Sequence, residues 1–252
     1  MSVSYGELCT EVYDLSKPLG FSFGDVEFYL ERLSGVKGKV LEVGCGSGRV
    51  LIPLLQAGID IEGIDHSRAM LDSCRRRCEA LNLKPQLYEA SMHHFAFPHL
   101  YEAMIMPVGT FQLIESREQA MAALNHFYHY LLPGGRLILD LFIPDDFSLN
   151  AASVKTWNTS NHEVIVMEEK RIEIQYFEQK IVSLIKYEKW KDGSLIQSEL
   201  QLFPIRWYGH YEFELLLEKA GFQDIVKSAD YAYGAAPSKD GQMMTYEAKK
   251  PA

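Results

Sequence analysis

Two hydrophobic periods divide this chain. From residue 25 to residue 142, apolar runs alternate with amphipathic stretches. "KVLEV" (39–43) reads as a buried strand, and "RVLIPLLQAG" as a short helix closed by Gly58. "IDIEGID" (59–65) is the next strand. Ser67 then caps a helix that carries Met70, Leu71, Cys74, Cys78 and Leu81 on one side. "QLYEA" (86–90) and "YEAMIMPVG" (101–109) read as further strands. A helix opens at Ser116 with Gln119 completing a capping box, and Pro133-Gly134-Gly135 turns the chain into a fifth buried strand, "RLILDLF" (136–142). Buried strands separated by helices predict parallel strands with right-handed crossovers, hence a doubly wound α/β sheet.

After Pro144 the period becomes two. "RIEIQY" (171–176) places Ile172, Ile174 and Tyr176 on one face and Arg171, Glu173 and Gln175 on the other. "KIVSLIKYEKW" and "LIQSELQLF" follow, joined by the hairpin signal Lys191-Asp192-Gly193-Ser194. Strands with one polar face predict an antiparallel insertion, residues 155–205, within one domain spanning 1–252. Its apolar face, with Ile172, Ile174 and Tyr176, is expected either to roof a pocket or to pair with a second chain as a homodimer. A helix (211–221) and two strand-like stretches, "QDIVKSA" and "MMTYEAK", end the chain.

The chemistry concentrates at Gly44-Cys45-Gly46-Ser47-Gly48, straight after the first strand. A glycine-rich strand-to-helix turn sets backbone N–H groups at the carboxyl edge of the sheet, where open α/β sheets bind ligands. The same glycines also suit a tight turn without a ligand. The dinucleotide fingerprint GxGxxG would need its third glycine at position 49, which is Arg49, so a nicotinamide oxidoreductase is disfavoured. Asp65 ends the second strand, placed to accept from two ribose hydroxyls.

"VLEVGCGSGR", followed by "GIDHSRAML", "LYEASM", "YEAMIM", "LLPGGRLILDLF" and later "LLEKAGF", resembles the class I S-adenosylmethionine-dependent methyltransferases. The resemblance implies a mostly parallel, seven-stranded Rossmann-like sheet, with the antiparallel β insertion after the fifth strand. It also implies S-adenosylmethionine as cofactor and S-adenosylhomocysteine as product. Carried over by position, Gly44, Cys45 and Gly46 would pass under the methionine and ribose, and Glu42 would face the cofactor amino group. Asp65 would hold the ribose, and His66 and Met70 would flank the adenine. Ser91, followed by Met92, stands where many relatives place an adenine-binding Asp, which removes the charge-assisted part of that bond. The loop "MPVGTFQLI" would bring Pro107 to the cofactor and Phe111 to the acceptor.

Methyl transfer from a sulfonium is an in-line displacement, so positioning and exclusion of water dominate, and a base is needed only for a protonated nucleophile. Tyr5 and Tyr13 lie in an N-terminal segment that folds over the cofactor in similar enzymes, and a cationic sulfonium favours aromatic faces. Tyr13 and His210 are therefore the catalytic candidates. Arg206, Tyr208 and His210 belong to a stretch resembling amino-sugar and glycine N-methyltransferases. Arg206 would pair with an anionic substrate group and Tyr208 would line the acceptor site.

A formal charge of −9, from 25 Lys+Arg and 34 Asp+Glu, argues against nucleic acid. Cys9, Cys45, Cys74 and Cys78 form no CxxC pair and read as reduced thiols. His93–His94 and His126/His129 lack the partners of a zinc set, so no metal is expected. The first residues have neither basic patch nor apolar core, and no run is long enough to span a bilayer, so a cytoplasmic protein without membrane contact is expected. Two functions stay open: a methyltransferase acting on an N- or O-nucleophile of a small molecule, and a non-catalytic S-adenosylmethionine or S-adenosylhomocysteine binder serving regulation or a partner.

Overall fold

The structure, a computed structural model, describes residues 5–159, 161–239 and 241–252. Residues 1–4, where the N-terminal reading begins, and position 160 of the expected insertion lie outside the described residues. At the centre is β1 (Val40–Val43), every residue buried, as a strand covered on both faces requires. It pairs in parallel with β2 (Ile61–Asp65) and with β4 (Tyr101–Met106). β3 (Gln86–Glu89) extends the sheet beyond β2, and β5 (Leu131–Phe142) extends it beyond β4. After β5 come β11 (Met243–Lys249), antiparallel to both neighbours, and β10 (Gln223–Ala229). The seven-stranded order is β10-β11-β5-β4-β1-β2-β3.

Alternating strand residues feed two cores. Leu41, Val43, Met104, Met106, Leu137 and Leu139 face α5 (Arg117–Tyr130) and α6 (His210–Lys219). Val40, Ile61, Ala103, Ile105 and Ile138 face α2 (Asp25–Leu33), α3 (Leu51–Gln56) and α4 (Arg68–Ala80). Ser67 caps α4 through Met70 N at 3.2 Å, and Cys74 and Cys78 are buried on its inner side. Leu81, expected on that side, is 37% exposed because it has become the C-cap, outside the helix. Pro133-Gly134-Gly135 bulges within β5, between the Tyr101–Leu131 and Ala103–Arg136 pairs.

The second sheet is four-stranded and antiparallel: β6 (Ala152–Asn158), β7 (Glu163–Gln175), β8 (Lys180–Lys191) and β9 (Ser194–Arg206). The β8–β9 turn takes φ of 49° at Asp192 and 76° at Gly193, the left-handed pair that tight hairpins need. Of the three residues expected on the apolar face toward the domain, only Ile174 is there, half-buried and paired with Ile181 on the side of Ile185 and Tyr187. A register shift between Arg171 and Glu173 interrupts the alternation, and Tyr176 falls in the following turn. Ile172 is 40% exposed and Tyr176 64% exposed. The rest of the inner face is built by Ile165, Ile185 and Tyr187, with Trp157, Met167 and Phe203, against Leu8, Cys9 and Val12 of α1 (Glu7–Ser16).

Candidate functional site

The glycine turn is held from below by the end of β2. Gly44 N and Cys45 N donate to Ile64 O at 2.8 and 2.9 Å. Asp65 Oδ2 accepts from Gly46 N at 2.8 Å, and Oδ1 accepts from Ser67 N at 2.7 Å. Each carboxylate oxygen keeps a lone pair for a further donor. Burial pushes the Asp65 carboxyl up, against the pull of those amides. The helix that follows, α3, has only six residues, so the turn and the end of β2 supply the ligand-facing polar groups.

The three glycines do different work. All have positive φ (74°, 53° and 84°). A Cβ on Gly44 would lie 2.3 Å from Thr110 Cγ2, and one on Gly48 would lie 2.6 Å from Cys74 Sγ, so both serve close packing. A Cβ on Gly46 would meet only Met70 Sδ, at 3.9 Å. Gly46 is where the backbone opens toward the cavity.

Two adjoining spaces lie on this edge. The larger, about 550 Å³, runs from Glu42, Gly44, Cys45, Gly46, Asp65, Met70 and Pro107 past Tyr13 and Arg49 to the inner face of the second sheet. The smaller, about 290 Å³, is lined by Asp65, His66, Ser67, Ser91 and Met92, and shares Tyr5, Gly44, Thr110 and Leu113 with the first. The sequence-expected cofactor residues therefore fall on two adjoining walls. Ser91 Oγ is 3.0 Å from His93 Nδ1.

Glu42 lies on the α2/α3/α4 side of β1, 3% exposed, and its Oε2 has no hydrogen-bond partner. Burial pushes its carboxyl well above the usual range, with Arg49 opposing. An orphaned buried carboxylate oxygen beside an open glycine turn fits a ligand ammonium. Arg49 bonds Asp25 in bidentate fashion, and burial of Asp25 is overcome by that guanidinium, which holds its carboxyl low. Arg49 Nε keeps no partner, and burial raises the neighbouring Tyr13 phenol while Arg49 lowers it.

α1 closes the cavity from above. Tyr5 O accepts from Ser67 Oγ at 2.6 Å, Asp14 meets Arg77 at 2.9 Å, and Glu199 of β9 accepts from Gly6 N and Leu8 N at 3.1 and 3.0 Å. Behind the Pro107–Val108 wall, Asp140 accepts from Tyr29, Thr245, Tyr231 and Val108 N at 3.0, 2.7, 3.1 and 2.8 Å. Val108, beside Pro107, is thereby held at φ 52°.

The expected acceptor residues are placed elsewhere. Arg206 is 3% exposed and gives its Nε and Nη2 to Glu115 O at 2.9 and 2.6 Å, so it joins β9 to the domain and is not among the residues lining the main cavity. Tyr208 packs between Phe111 and Phe213 in the core, with Phe111 fully buried beside it. His210 sets Nδ1 3.0 Å from Tyr246 Oη and lines a separate outward depression with Ile143 and Pro144, so it cannot act as a base in the main cavity. Of the two catalytic candidates only Tyr13 lines that cavity. Reading by local pattern missed Lys17, Lys155, Trp157, Tyr187 and Gln201, which line it from α1 and the second sheet. The only sequence sign of the sheet members is their place on alternating positions.

A family model described as "Methyltransferase domain" matches residues 40–135. The cypemycin N-terminal methyltransferase of a Streptomyces species is 27% identical over 57% of this chain and 58% of its own length. The dTDP-3-amino-3,6-dideoxy-α-D-glucopyranose N,N-dimethyltransferase of Streptomyces fradiae is 26% identical over 68% of this chain and 70% of its own. Among solved structures, an S-adenosylmethionine-dependent methyltransferase from Clostridium acetobutylicum ATCC 824 superposes with a TM-score of 0.76 at 16% identity, covering 96% of this chain and 97% of that one.

Proposed function

Because the chain belongs to the class I S-adenosylmethionine-dependent methyltransferases, we propose that it methylates a small-molecule amine held between α1 and the second sheet. The observation that carries this reading is the continuity of the 550 Å³ cavity from the Gly46 opening to the inner face of β6–β9. A site serving the cofactor alone has no need of space that reaches the second sheet. The preference for nitrogen over oxygen rests on the names of the two relatives above, an N-terminal methyltransferase and an N,N-dimethyltransferase.

The cofactor, when bound, supplies an electrophilic methyl on a sulfonium. The chain's residues do the rest. Asp65 would accept from the ribose hydroxyls, Glu42 from the ammonium, and Arg49 Nε with Tyr13 would face the carboxylate. Ser91 and Met92 would border the adenine in the smaller chamber. Tyr5, Tyr13 and Trp157 exclude water and present aromatic faces to a cation. No histidine is among the described residues lining the main cavity, which suits an amine that arrives neutral and needs only orientation.

The test is formation of S-adenosylhomocysteine from labelled cofactor with a panel of primary and secondary amines and matched alcohols. Turnover of an amine, with the matched alcohol inert, supports the reading. Tight cofactor binding without turnover of any amine or alcohol would favour the non-catalytic binder.

A further inference from the structure

The charges lining the main cavity are segregated. Its carboxylates, Glu42 and Asp65, stand on the wall that would hold the cofactor. Arg49 is paired with Asp25. The two other cations are Lys17, in the residue after α1, and Lys155, on β6. Neither forms an ion pair among the described residues. The contrast with their neighbours is plain: Lys189 is held by Glu11 and Glu163, and Glu199 caps α1. Glu169 is a diagonal neighbour of Lys155 across β6–β7, but it does not bond it and does not line the cavity.

Lys17 rests its ammonium 4.0 Å from the Tyr13 ring centre, half-buried. Burial, Arg49 and Lys155 together push it down to about 8, so it stands in a positive field without a counter-charge. Gln201, on β9, adds a second observation. It lines the same cavity, is 5% exposed, and has neither amide atom hydrogen-bonded. A buried amide with no partner is destabilising unless something else satisfies it. Lys155 and Gln201 both lie on the inward-facing side of the sheet, at its two edge strands. Three strand spacings separate those edges, roughly 14 Å. A ligand meeting both is extended.

We propose that the methyl acceptor carries an anionic group, a carboxylate or a phosphate, seated between Lys17 and Lys155, with a polar substituent read by the Gln201 amide. The inference rests on the reading of this cavity as the acceptor site. The positive wall also helps the chemistry: cations near a bound amine favour its unprotonated, nucleophilic form. The cofactor's own carboxylate is the competing claimant for Lys17, and the experiment separates the two.

The full chain, loaded with S-adenosylhomocysteine, is titrated calorimetrically with inorganic pyrophosphate and separately with glutarate. Wild type, Lys155→Gln and Lys17→Gln/Lys155→Gln are compared, with thermal midpoints confirming that each variant is folded. The expected result is saturable binding of at least one probe, weakened roughly ten-fold for each lysine removed, the scale of one charge-assisted contact. S-adenosylhomocysteine affinity should stay within about two-fold of wild type, far less than the loss of such a contact. The probe that binds more tightly distinguishes phosphate from carboxylate. Binding of neither probe, or equal binding by the double variant, overturns the proposal. So does a loss of S-adenosylhomocysteine affinity in the lysine variants, which would assign the pair to the cofactor. If wild type itself binds no S-adenosylhomocysteine, the reading of the preceding section falls and takes this one with it.

Discussion

Substituting alanine at Gly46 should separate ligand binding from folding. The residue sits at φ 53°, where an L side chain costs about 1–2 kcal/mol. The new Cβ meets no protein atom closer than Met70 Sδ at 3.9 Å, so strain is the whole folding penalty. In a chain of this size that corresponds to a fall in midpoint of roughly 2–8 °C. The ligand loses more, because the methyl occupies space at the mouth of the cavity. Overpacking of about 1–3 kcal/mol weakens S-adenosylhomocysteine roughly 5- to 150-fold. Gly44→Ala should behave in the opposite way. Its Cβ would lie 2.3 Å from Thr110 Cγ2, so the fold suffers first. Thr110→Ser removes that methyl and keeps the hydroxyl on Pro107 O, 2.9 Å away. The double variant Gly44→Ala/Thr110→Ser should therefore recover much of the lost stability. Thermal unfolding and calorimetric titration read the two quantities separately. Wild-type affinity in Gly46→Ala, or a larger stability loss there than in Gly44→Ala, would refute the assignment of Gly46 to the ligand.

Three further outcomes are expected. Asp65→Ala should weaken S-adenosylhomocysteine by about 1.5–3 kcal/mol, the scale of bonds to a charged group, and unchanged calorimetric affinity would remove the ribose contact. Burial raises the Glu42 carboxyl in the free protein, so a bound ammonium, which favours the carboxylate, should release a proton at any pH where the free group is still protonated. Affinity then rises with pH until the free carboxyl ionises. Titrations in two buffers of different protonation enthalpy measure the release, and Glu42→Gln should abolish it. Asp140 is pushed up to about 6 by burial, above its unfolded value, so the native state binds the extra proton and the group's contribution falls as pH rises. Between roughly pH 4 and 7 the wild type should lose up to about 3 kcal/mol relative to Asp140→Asn, as denaturant unfolding of both proteins would show.

Local pattern determined the parts of this protein that are local in cause. Buried runs became β1, β2, β4 and β5 because a strand covered on both faces must be apolar throughout. The glycine turn and Asp65 were legible because a backbone forced to positive φ, and an acid ending the neighbouring strand, leave marks within a few residues. Ser67 at the head of α4 was legible for the same reason.

The acceptor wall was not legible, because its residues meet only through tertiary contacts. Arg206 has the local look of a substrate arginine, but Glu115 O, 91 residues away in sequence, accepts from both its Nε and its Nη2. Tyr208 shares its local stretch, but Phe111 and Phe213 close around it in the core. The face of β7 was misread because a bulge between Arg171 and Glu173 shifts the side chains, and a bulge depends on the partner strand. Lys17, Lys155 and Gln201 come from a helix end and two opposite strands of an insertion. Nothing in their own neighbourhoods distinguishes them from solvated polar residues. They become a site only when the second sheet folds over the carboxyl edge of the first, because only that packing brings the helix end and the two edge strands onto one cavity.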